Sequence, residues 1–190
     1  MDYSLKYFLL GIVAILIIFF LSRLCRNLFF ACVSKMFYNG KYSATIFWSK
    51  PYYKFLSKFC TRQKGFTQTF DFFATILAVS HFALKDYEKF LFYVDTIKKD
   101  ADEKNFLLAI YFITVSKDVP RAEECYAAIT KTSPRFSVAA IPLLNALLLF
   151  KQGKKEEAYP LLKDVQPKLK MLVLKEMVNE YLSTYPAETT

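Results

Sequence analysis

The chain has 190 residues, a hydrophobic fraction of 54%, an aromatic fraction of 18%, and only 4 Gly and 7 Pro. This composition excludes a disordered or collagen-like polymer and favours long helices over turn-rich β-structure, and the length allows about one domain plus an appendage. The net charge of +9 is confined to residues 1–70, which hold ten basic residues and one acid, whereas the rest of the chain holds sixteen of each. This change in composition predicts a domain boundary at about residues 65–70.

An uncharged N-terminal run predicts a membrane anchor. The sequence YFLLGIVAILIIFFLS occupies residues 7–22 and is closed at its ends by Lys6 and Arg23. A helix of this length covers about 24 Å at ~1.5 Å per residue, and snorkelling of the two cations lets it match a hydrocarbon core of about 30 Å. Because no small-residue cleavage site follows the run, we predict an uncleaved signal-anchor within residues 1–25, with a cleaved signal peptide or a buried core helix as alternatives.

The charges that flank this run predict its orientation. Arg23, Arg26 and Lys35 follow it, and no acidic residue occurs between the run and Asp71. The positive-inside rule then predicts a single-pass membrane protein whose N-terminus is outside and whose C-terminal domain is cytoplasmic.

The later apolar runs have the length of core helices. Each is about 10–13 residues long, whereas a transmembrane helix needs about 20. Each also ends in a polar turn and leads into a charged amphipathic stretch, as in soluble helical hairpins. We therefore expect one span, with three further runs in a folded core: 72–84, 106–115 and 138–150.

Residues 26–65 form a basic and aromatic connector. A first helix is predicted over residues 27–38, because its apolar residues recur on one stripe and Gly40 follows as a helix end. A second helix is predicted from Ser49, a candidate N-cap, with Pro51 in its first turn.

The second connector helix is predicted to be amphipathic. Basic residues recur every four positions on one side, and aromatic residues and Leu56 fall on the other. One interpretation is a helix in the headgroup region with its cations on anionic lipid, and the alternative is that its aromatic side packs on the following domain. The candidate membrane-surface residues are Arg23, Arg26, Lys50, Lys54, Lys58 and Arg62, and the candidate interfacial aromatic residues are Tyr52, Phe55 and Phe59.

Residues 66–185 are predicted to form the solenoid domain, in which a long helix, a polar turn and a shorter charged helix occur three times over about residues 66–168. Alignment of the turns places Lys85, Lys117 and Gly153 at equivalent positions, 32 and 36 residues apart. Helix pairs at this period are typical of an α-solenoid, in which stacking buries the faces that no single hairpin can bury.

This period resembles the tetratricopeptide repeat (TPR). Gly153 and Ala158, with KKEE between them, are similar to that family's turn and second-helix start. Ala122, followed twelve residues later by Pro134, matches its small-residue and repeat-ending proline spacing. The first repeat lacks both the Gly and the Ala, and no repeat carries the family's early Trp. The resemblance covers about residues 66–168 and implies a solenoid that binds a protein partner in its groove.

No residue pattern indicates catalysis. His81 is the only histidine and lies in an apolar run, where a core or groove position is expected rather than a metal ligand or general base. The sequence has no phosphate-binding glycine loop, no CxxC pair and no nucleophile elbow. We therefore predict no catalytic, cofactor-binding or metal-binding residues, no nucleic-acid partner and no enzymatic activity. An enzyme or lipid-handling protein with an apolar cavity between helices is the alternative from another class.

These predictions combine into an all-α protein with one transmembrane helix, basic amphipathic connector helices and a TPR-like solenoid of about three repeats. Residues 167–185 are predicted to form a capping helix, and residues 186–190 a frayed tail. The expected function is a membrane-anchored scaffold or adaptor that recruits or organises a protein partner at the cytoplasmic membrane face. The alternative is a small accessory subunit that stabilises a larger membrane protein complex.

Overall fold

Helices follow the apolar periodicity of the chain, which has few Gly and Pro residues to interrupt it. The structure, a computed structural model, describes residues 3–59, 64–130 and 139–184, and these residues form helices and no strands. The nine α-helices of this part of the chain are α1 (Tyr3–Tyr38), α2 (Tyr42–Phe59), α3 (Lys64–Ala83), α4 (Tyr87–Asp95), α5 (Ala101–Tyr111), α6 (Val119–Ala127), α7 (Ala140–Lys151), α8 (Lys155–Val165) and α9 (Leu172–Ser183). A π-helical segment, Phe112–Ser116, follows α5, and a 3-10 helix, Gln166–Lys168, follows α8. The all-α fold class is confirmed for the described residues.

The first helix is uninterrupted over 36 residues. Residues 15–21 of this helix are apolar and exposed, with Ile15 at 68% and Phe20 at 67%, whereas Val33 and Phe37 near its C-terminal end are buried in the core. No Gly or Pro lies between residues 12 and 38, so the predicted anchor and the predicted first connector helix are one helix. Among the described helices, α1 is the one long and apolar enough to cross a membrane.

The turn between α1 and α2 depends on Gly40. Its φ of +73° is in the left-handed region, which favours glycine. The Gly40 N–H donates to the Phe37 carbonyl at 3.1 Å, and the Lys41 N–H donates to the Met36 carbonyl at 2.9 Å. This pair of bonds is a Schellman motif, and the predicted helix end at Gly40 is confirmed.

The second helix begins earlier than predicted. It starts at Tyr42, so Ser49 lies inside it, fully buried, and is not its N-cap. Pro51 also lies within the helix, where it removes one backbone donor. Tyr53 and Leu56, at 7% and 0% exposure, pack this helix into the core. That burial outweighs the lost hydrogen bond and keeps the helix continuous.

Aromatic rings join the first three helices. The Tyr52 ring of α2 lies 5.4 Å from Phe29 of α1 and 4.9 Å from Phe73 of α3. Phe30 of α1 lies 5.2 Å from Phe73 and 5.6 Å from Phe72. Rings at these separations bury large apolar areas, so the C-terminal half of α1 is part of the domain core.

Three helical hairpins follow, formed by α3 with α4, α5 with α6, and α7 with α8. Their turns contain Lys85, Lys117 and Gly153, which share a left-handed backbone with φ of 60°, 58° and 83°. In the first two hairpins the next residue, Asp86 or Asp118, caps the second helix through its carboxylate. The three positions aligned by sequence therefore share a positive φ.

The second helices also share a buried position five residues after each turn. This position is Phe90, Ala122 and Ala158 in the three hairpins, with 1%, 0% and 0% exposure. A large ring in the first hairpin therefore occupies the place of the small residues in the other two. Pro134 and the predicted tail at 186–190 lie outside the described residues.

Two aspartates fix the segments that follow the second helices. The buried carboxylate of Asp71 in α3 accepts the backbone N–H groups of Lys98 at 3.1 Å and Lys99 at 2.8 Å. Asp102 in α5 accepts the N–H of Thr130 at 2.9 Å and its hydroxyl at 2.8 Å. Each carboxylate thus ties the first helix of a hairpin to the chain that leaves its second helix.

The last helix returns to the first turn. The helix α9 occupies the stretch predicted as a capping helix, and the Val173 N–H donates to the Tyr42 hydroxyl at 3.1 Å. A Cβ placed on Gly40 would lie 2.7 Å from Cδ2 of Leu172. The C-terminal helix is therefore in direct contact with the N-terminal hairpin.

Candidate functional site

The helices α1 and α2 form an antiparallel hairpin. The ring centroid of Tyr52 lies 5.4 Å from that of Phe29 and 6.0 Å from that of Phe30. Tyr52 follows Gly40 by twelve residues and Phe29 precedes it by eleven, so the two helices run back along each other in register. Residues after Tyr52 therefore approach the apolar half of α1.

This register sets the height of four of the predicted membrane-surface cations along the axis of α1. Continued at ~1.5 Å per residue, this register sets Lys54 and Lys58 at about the height of residues 27 and 23 along α1. All four side chains are exposed. We refer to Arg23, Arg26, Lys54 and Lys58 as the cationic collar.

The other two predicted cations are not placed in the collar. Lys50 is exposed, but it lies one helical turn, about 6 Å, farther from the apolar half of α1 than Lys54. Arg62 lies outside the described residues.

The collar is not neutralised by acidic side chains. No Asp or Glu occurs between residues 3 and 70. In the described ranges, no ion pair includes a collar cation. The first acid of the domain, Asp71, is 5% exposed and directs its carboxylate to backbone N–H groups. The collar is therefore a local excess of positive charge that attracts anions.

The predicted aromatic residues are placed in two environments. Tyr52 is half-buried among the rings of α1 and α3, whereas Phe55 is 54% exposed. The side chain of Phe59 lies outside the described part of the chain. Phe47 and Trp48 are also exposed, at 70% and 53%, and the sequence prediction missed both because it began the helix at Ser49.

The two predicted faces of α2 are neighbours rather than opposites. Lysines at 50, 54 and 58 and the aromatic residues Trp48 and Phe55 all lie on the exposed side of the helix. The opposite side is buried, with Thr45, Ser49, Tyr53 and Leu56. Leu56, which the sequence placed with the aromatic residues, is therefore a core residue, because α2 packs on α3 through that side.

His81 is packed within the first hairpin. It is 6% exposed, stacks on Tyr93 at 5.5 Å between ring centroids, and places Nδ1 3.2 Å from the Asp86 carboxylate. Burial lowers the pKa of His81, and the Asp86 carboxylate opposes that shift. This placement is that of a core residue near a turn.

Metal-ligating side chains are not clustered in the described ranges. No cluster of three or more His, Cys, Asp and Glu side chains there is arranged to hold a metal ion. Cys25, Cys32 and Cys125 are free thiols. Two surface depressions, one beside Phe19 on α1 and one beside Leu169 before α9, are open to solvent and lined mainly by apolar and basic residues.

Comparisons of the chain with protein-family models, with curated proteins and with solved structures give no match.

Proposed function

We propose that this protein is a membrane-anchored scaffold that recruits or organises a protein partner at the cytoplasmic face of a membrane. The observation that carries the proposal is the continuity of α1, in which the exposed apolar residues 15–21 and the buried core residues Val33 and Phe37 belong to one helix. Because neither Gly nor Pro interrupts the helix between residues 12 and 38, the helical-hairpin domain is held at a fixed distance from the bilayer.

The proposed orientation rests on charge. The residues that follow the apolar half of α1 are basic, and no acid precedes Asp71. A cytoplasmic domain places the cationic collar in the headgroup region, where each cation contributes about 1 kcal/mol of attraction to anionic lipid. Phe55 then lies beside the collar, at the depth where aromatic rings are enriched.

The proposed recruiting surface is a groove of TPR-like repeats. It is supported by the common turn conformation at Lys85, Lys117 and Gly153. Stacked helical hairpins bind proteins on extended concave surfaces rather than in enclosed cavities. The expected ligand is a protein segment, with neither metal nor cofactor in the contact.

Crosslinking in native membranes tests the scaffold. The full-length chain, carrying an affinity tag at its C-terminus, is crosslinked and captured from the membranes of its own host. A reproducible protein partner at near-equal abundance is expected. If repeated captures recover no common partner, the proposal is wrong.

Lysine acylation tests the contact with lipid. The full-length chain is placed in nanodiscs with or without anionic phospholipid and treated with a limiting amine-reactive reagent. Lys54 and Lys58 should react several-fold more slowly in the anionic discs, whereas Lys170, exposed near α9, should react at one rate in both. If all three lysines react at equal rates in both kinds of disc, the collar does not contact anionic lipid.

The accessory-subunit alternative is favoured by one observation. The exposed aromatic residues Phe47 and Trp48 lie on the same hairpin as the apolar half of α1. Replacement of residues 7–22 by an unrelated apolar helix separates the two functions. A tether keeps its partner after this replacement, whereas a subunit that packs through its span loses it.

A further inference from the structure

A surface depression lies where the last helix meets the end of α1. It has a volume of about 510 Å³, is open to solvent, and is lined by Tyr38, Pro167, Lys168, Leu169, Lys170 and Lys175. Tyr38 is the last residue of α1, and Lys175 is in the first turn of α9. We refer to this feature as the basic depression.

The chain between α8 and α9 directs its lysines toward solvent. Leu169 is extended, with φ of −72° and ψ of 132°, and its side chain is 5% exposed. Neighbouring residues of an extended chain point to opposite sides, so Lys168 and Lys170 point outward while Leu169 is held in the core. The hydrogen bond from the Val173 N–H to the Tyr42 hydroxyl then fixes the start of α9 beside the first turn. The basic depression therefore joins segments from the first hairpin and from the last helix.

The polar side chains of the basic depression are hydrogen-bond donors. The ammonium groups of its three lysines have no acceptor atom, and the Tyr38 hydroxyl can donate one bond. The described residues that line it include no Asp, Glu, Asn or Gln. A ligand that satisfies these groups must therefore present acceptor oxygens and negative charge, as a carboxylate or a phosphate does.

Two of the three lysines are not neutralised by an ion pair. Lys168 pairs with Asp164 at 2.7 Å, but both side chains are exposed and such a pair contributes little. Within the described ranges, neither Lys170 nor Lys175 is in an ion pair. Their charges are therefore available to acids of another molecule.

One acid lies close to these lysines in the sequence. Glu176 follows Lys175 and is exposed. Burial raises the pKa of the Tyr42 hydroxyl, and the negative charge of Glu176 adds to this rise, so Glu176 lies near the first turn. Because α9 turns by ~100° per residue, Lys175 and Glu176 project from different sides of the helix. Glu176 therefore does not line the basic depression.

Apolar surface in the basic depression favours a peptide over a small anion. The Tyr38 ring is 47% exposed, and Pro167 is exposed as well. An inorganic anion leaves this surface in water, whereas an apolar side chain next to carboxylates covers it. The depression is also about 25 Å along α1 from Leu21, at the end of the exposed apolar residues 15–21. This separation favours a protein segment over a lipid headgroup.

We propose that the basic depression binds an acidic segment of a protein. Asp or Glu carboxylates of the segment pair with Lys170 and Lys175, and an apolar side chain next to them packs on Tyr38 and Pro167. This inference rests on the proposed function, in which the scaffold recruits a protein, and it names the chemistry of the segment that is recruited.

A labelled peptide tests the chemistry of the ligand. The full-length chain is placed in nanodiscs of neutral phosphatidylcholine, and fluorescence anisotropy follows the binding of the peptide EEFEE. The control peptide QQFQQ has a similar shape and no acidic side chain. EEFEE should bind about tenfold more tightly than QQFQQ, and the difference should shrink as the salt concentration is raised. Equal binding of the two peptides, or binding of neither, overturns the proposal.

A pair of double variants tests the place of binding. K170E/K175E reverses two charges in the basic depression and K54E/K58E reverses two in the cationic collar, so both change the net charge equally. K170E/K175E should weaken the binding of EEFEE by about tenfold, and K54E/K58E by less than about twofold. Equal weakening would show that the peptide responds only to the net charge of the chain, and the proposal would be wrong.

The apolar contact is tested at Tyr38. Y38A should weaken the binding of EEFEE by about threefold or more, because the Phe side chain loses the ring on which it packs. The peptide EEAEE, which has no such side chain, should lose less than about twofold. If Y38A affects the two peptides equally, the segment does not pack on Tyr38.

Lysine acylation tests the other occupants. With EEFEE bound, Lys170 and Lys175 should react several-fold more slowly with an amine-reactive reagent, while Lys54 keeps its rate. Without peptide, the first two lysines should react at one rate in neutral discs and in discs with anionic phospholipid. Slower reaction in the anionic discs would show that lipid occupies the depression. Amine crosslinks from Lys170 to a second copy, in discs that hold two chains, would show that another copy does. Either result overturns the proposal.

Capture from native membranes separates this inference from the proposed function. The natural chain and K170E/K175E carry the same C-terminal tag, and the variant should recover the partner at about a tenth of the natural yield. If the variant captures the partner as well as the natural chain does, the inference is wrong and the scaffold stands. If the natural chain captures no partner while EEFEE still binds in the depression, the scaffold is wrong although the depression binds acids.

Discussion

The hydroxyl of Tyr42 accepts a hydrogen bond from the backbone N–H of Val173, and this contact joins the first hairpin to the last helix across 131 residues. Tyr42→Phe should lower the free energy of unfolding by about 1 kcal/mol, because the N–H loses its protein partner. Denaturant unfolding of the full-length chain in micelles, followed by circular dichroism, measures the change. Tyr38→Phe is the control, since Tyr38 is 47% exposed and its loss should fall within about 0.5 kcal/mol of zero. Equal effects of the two variants would mean that the contact contributes nothing.

Gly40 and Gly153 form a matched pair for testing the same junction. Both have positive φ, +73° and +83°, so alanine at either position costs about 1 kcal/mol of backbone strain. A Cβ at Gly40 also meets Leu172, whereas a Cβ at Gly153 meets nothing within 4 Å. Gly40→Ala should therefore be more destabilising than Gly153→Ala by about 1 kcal/mol, the low end of the overpacking range because Leu172 is only half-buried. The same unfolding measurement compares them, and identical losses would argue against a close approach of α9.

Asp71 should be among the most sensitive polar residues of the domain. Asp71→Ala leaves two backbone N–H groups, at Lys98 and Lys99, without their acceptor, and a loss of about 2–3 kcal/mol is expected. Asp102→Ala removes the equivalent tie to Thr130 at an exposed site, where about 1 kcal/mol is expected. Hydrogen exchange at Lys98 and Lys99 should accelerate only in the first variant. Unchanged exchange there would contradict the assigned hydrogen bonds.

His81 predicts a pH dependence of stability. Burial lowers its pKa in the folded state below the ordinary value of 6.5, so the unfolded chain takes up a proton first as the pH falls. The contribution to stability is therefore present above about pH 6.5 and is lost as the pH falls through the folded-state pKa. Thermal unfolding between about pH 7.5 and pH 5 should show a steeper loss for the natural chain than for His81→Gln.

The Asp86 carboxylate affects stability in a lower pH range than His81 does. A hydrogen bond from Lys89 lowers the pKa of Asp86, so its contribution to stability is lost only below the ordinary value of 3.8. If thermal stability falls in parallel for the natural chain and His81→Gln above pH 5, folding does not change the pKa of His81, and the prediction for His81 is wrong.

Helix ends could be predicted where one residue determines the backbone. Gly40 and Gly153 lie at left-handed positions that follow apolar helices, and each ends its helix as expected. The start of α2 could not be predicted in this way. Ser49 followed by Pro51 has the pattern of a helix start, yet burial of Ser49 and Leu56 against the core extends the helix back to Tyr42. Tertiary packing overrides the local signal here.

The sequence predicted which cations belong to the collar, but it did not predict that the two helices bring them to the same level. Arg23 and Lys58 are 35 residues apart, and only the antiparallel hairpin brings them to one level. A sequence pattern could have indicated the aromatic side of α2 that includes Trp48. Once the helix begins at Tyr42, Trp48, Tyr52 and Phe55 recur at i, i+4 and i+7. No sequence pattern indicated that Tyr52 is half-buried, because its burial depends on aromatic rings contributed by α1 and α3.

Because α1 is continuous, the number of residues between its apolar part and its buried part sets the direction in which the domain faces around the helix axis. One residue added between Arg23 and Asn27 would turn the whole domain by about 100° around the helix axis while moving it away by only ~1.5 Å. Two added residues would turn it by about 200° and direct the exposed Phe47 and Trp48 away from their original side. The number of residues in this short stretch therefore determines which neighbours in the plane of the membrane the domain can meet.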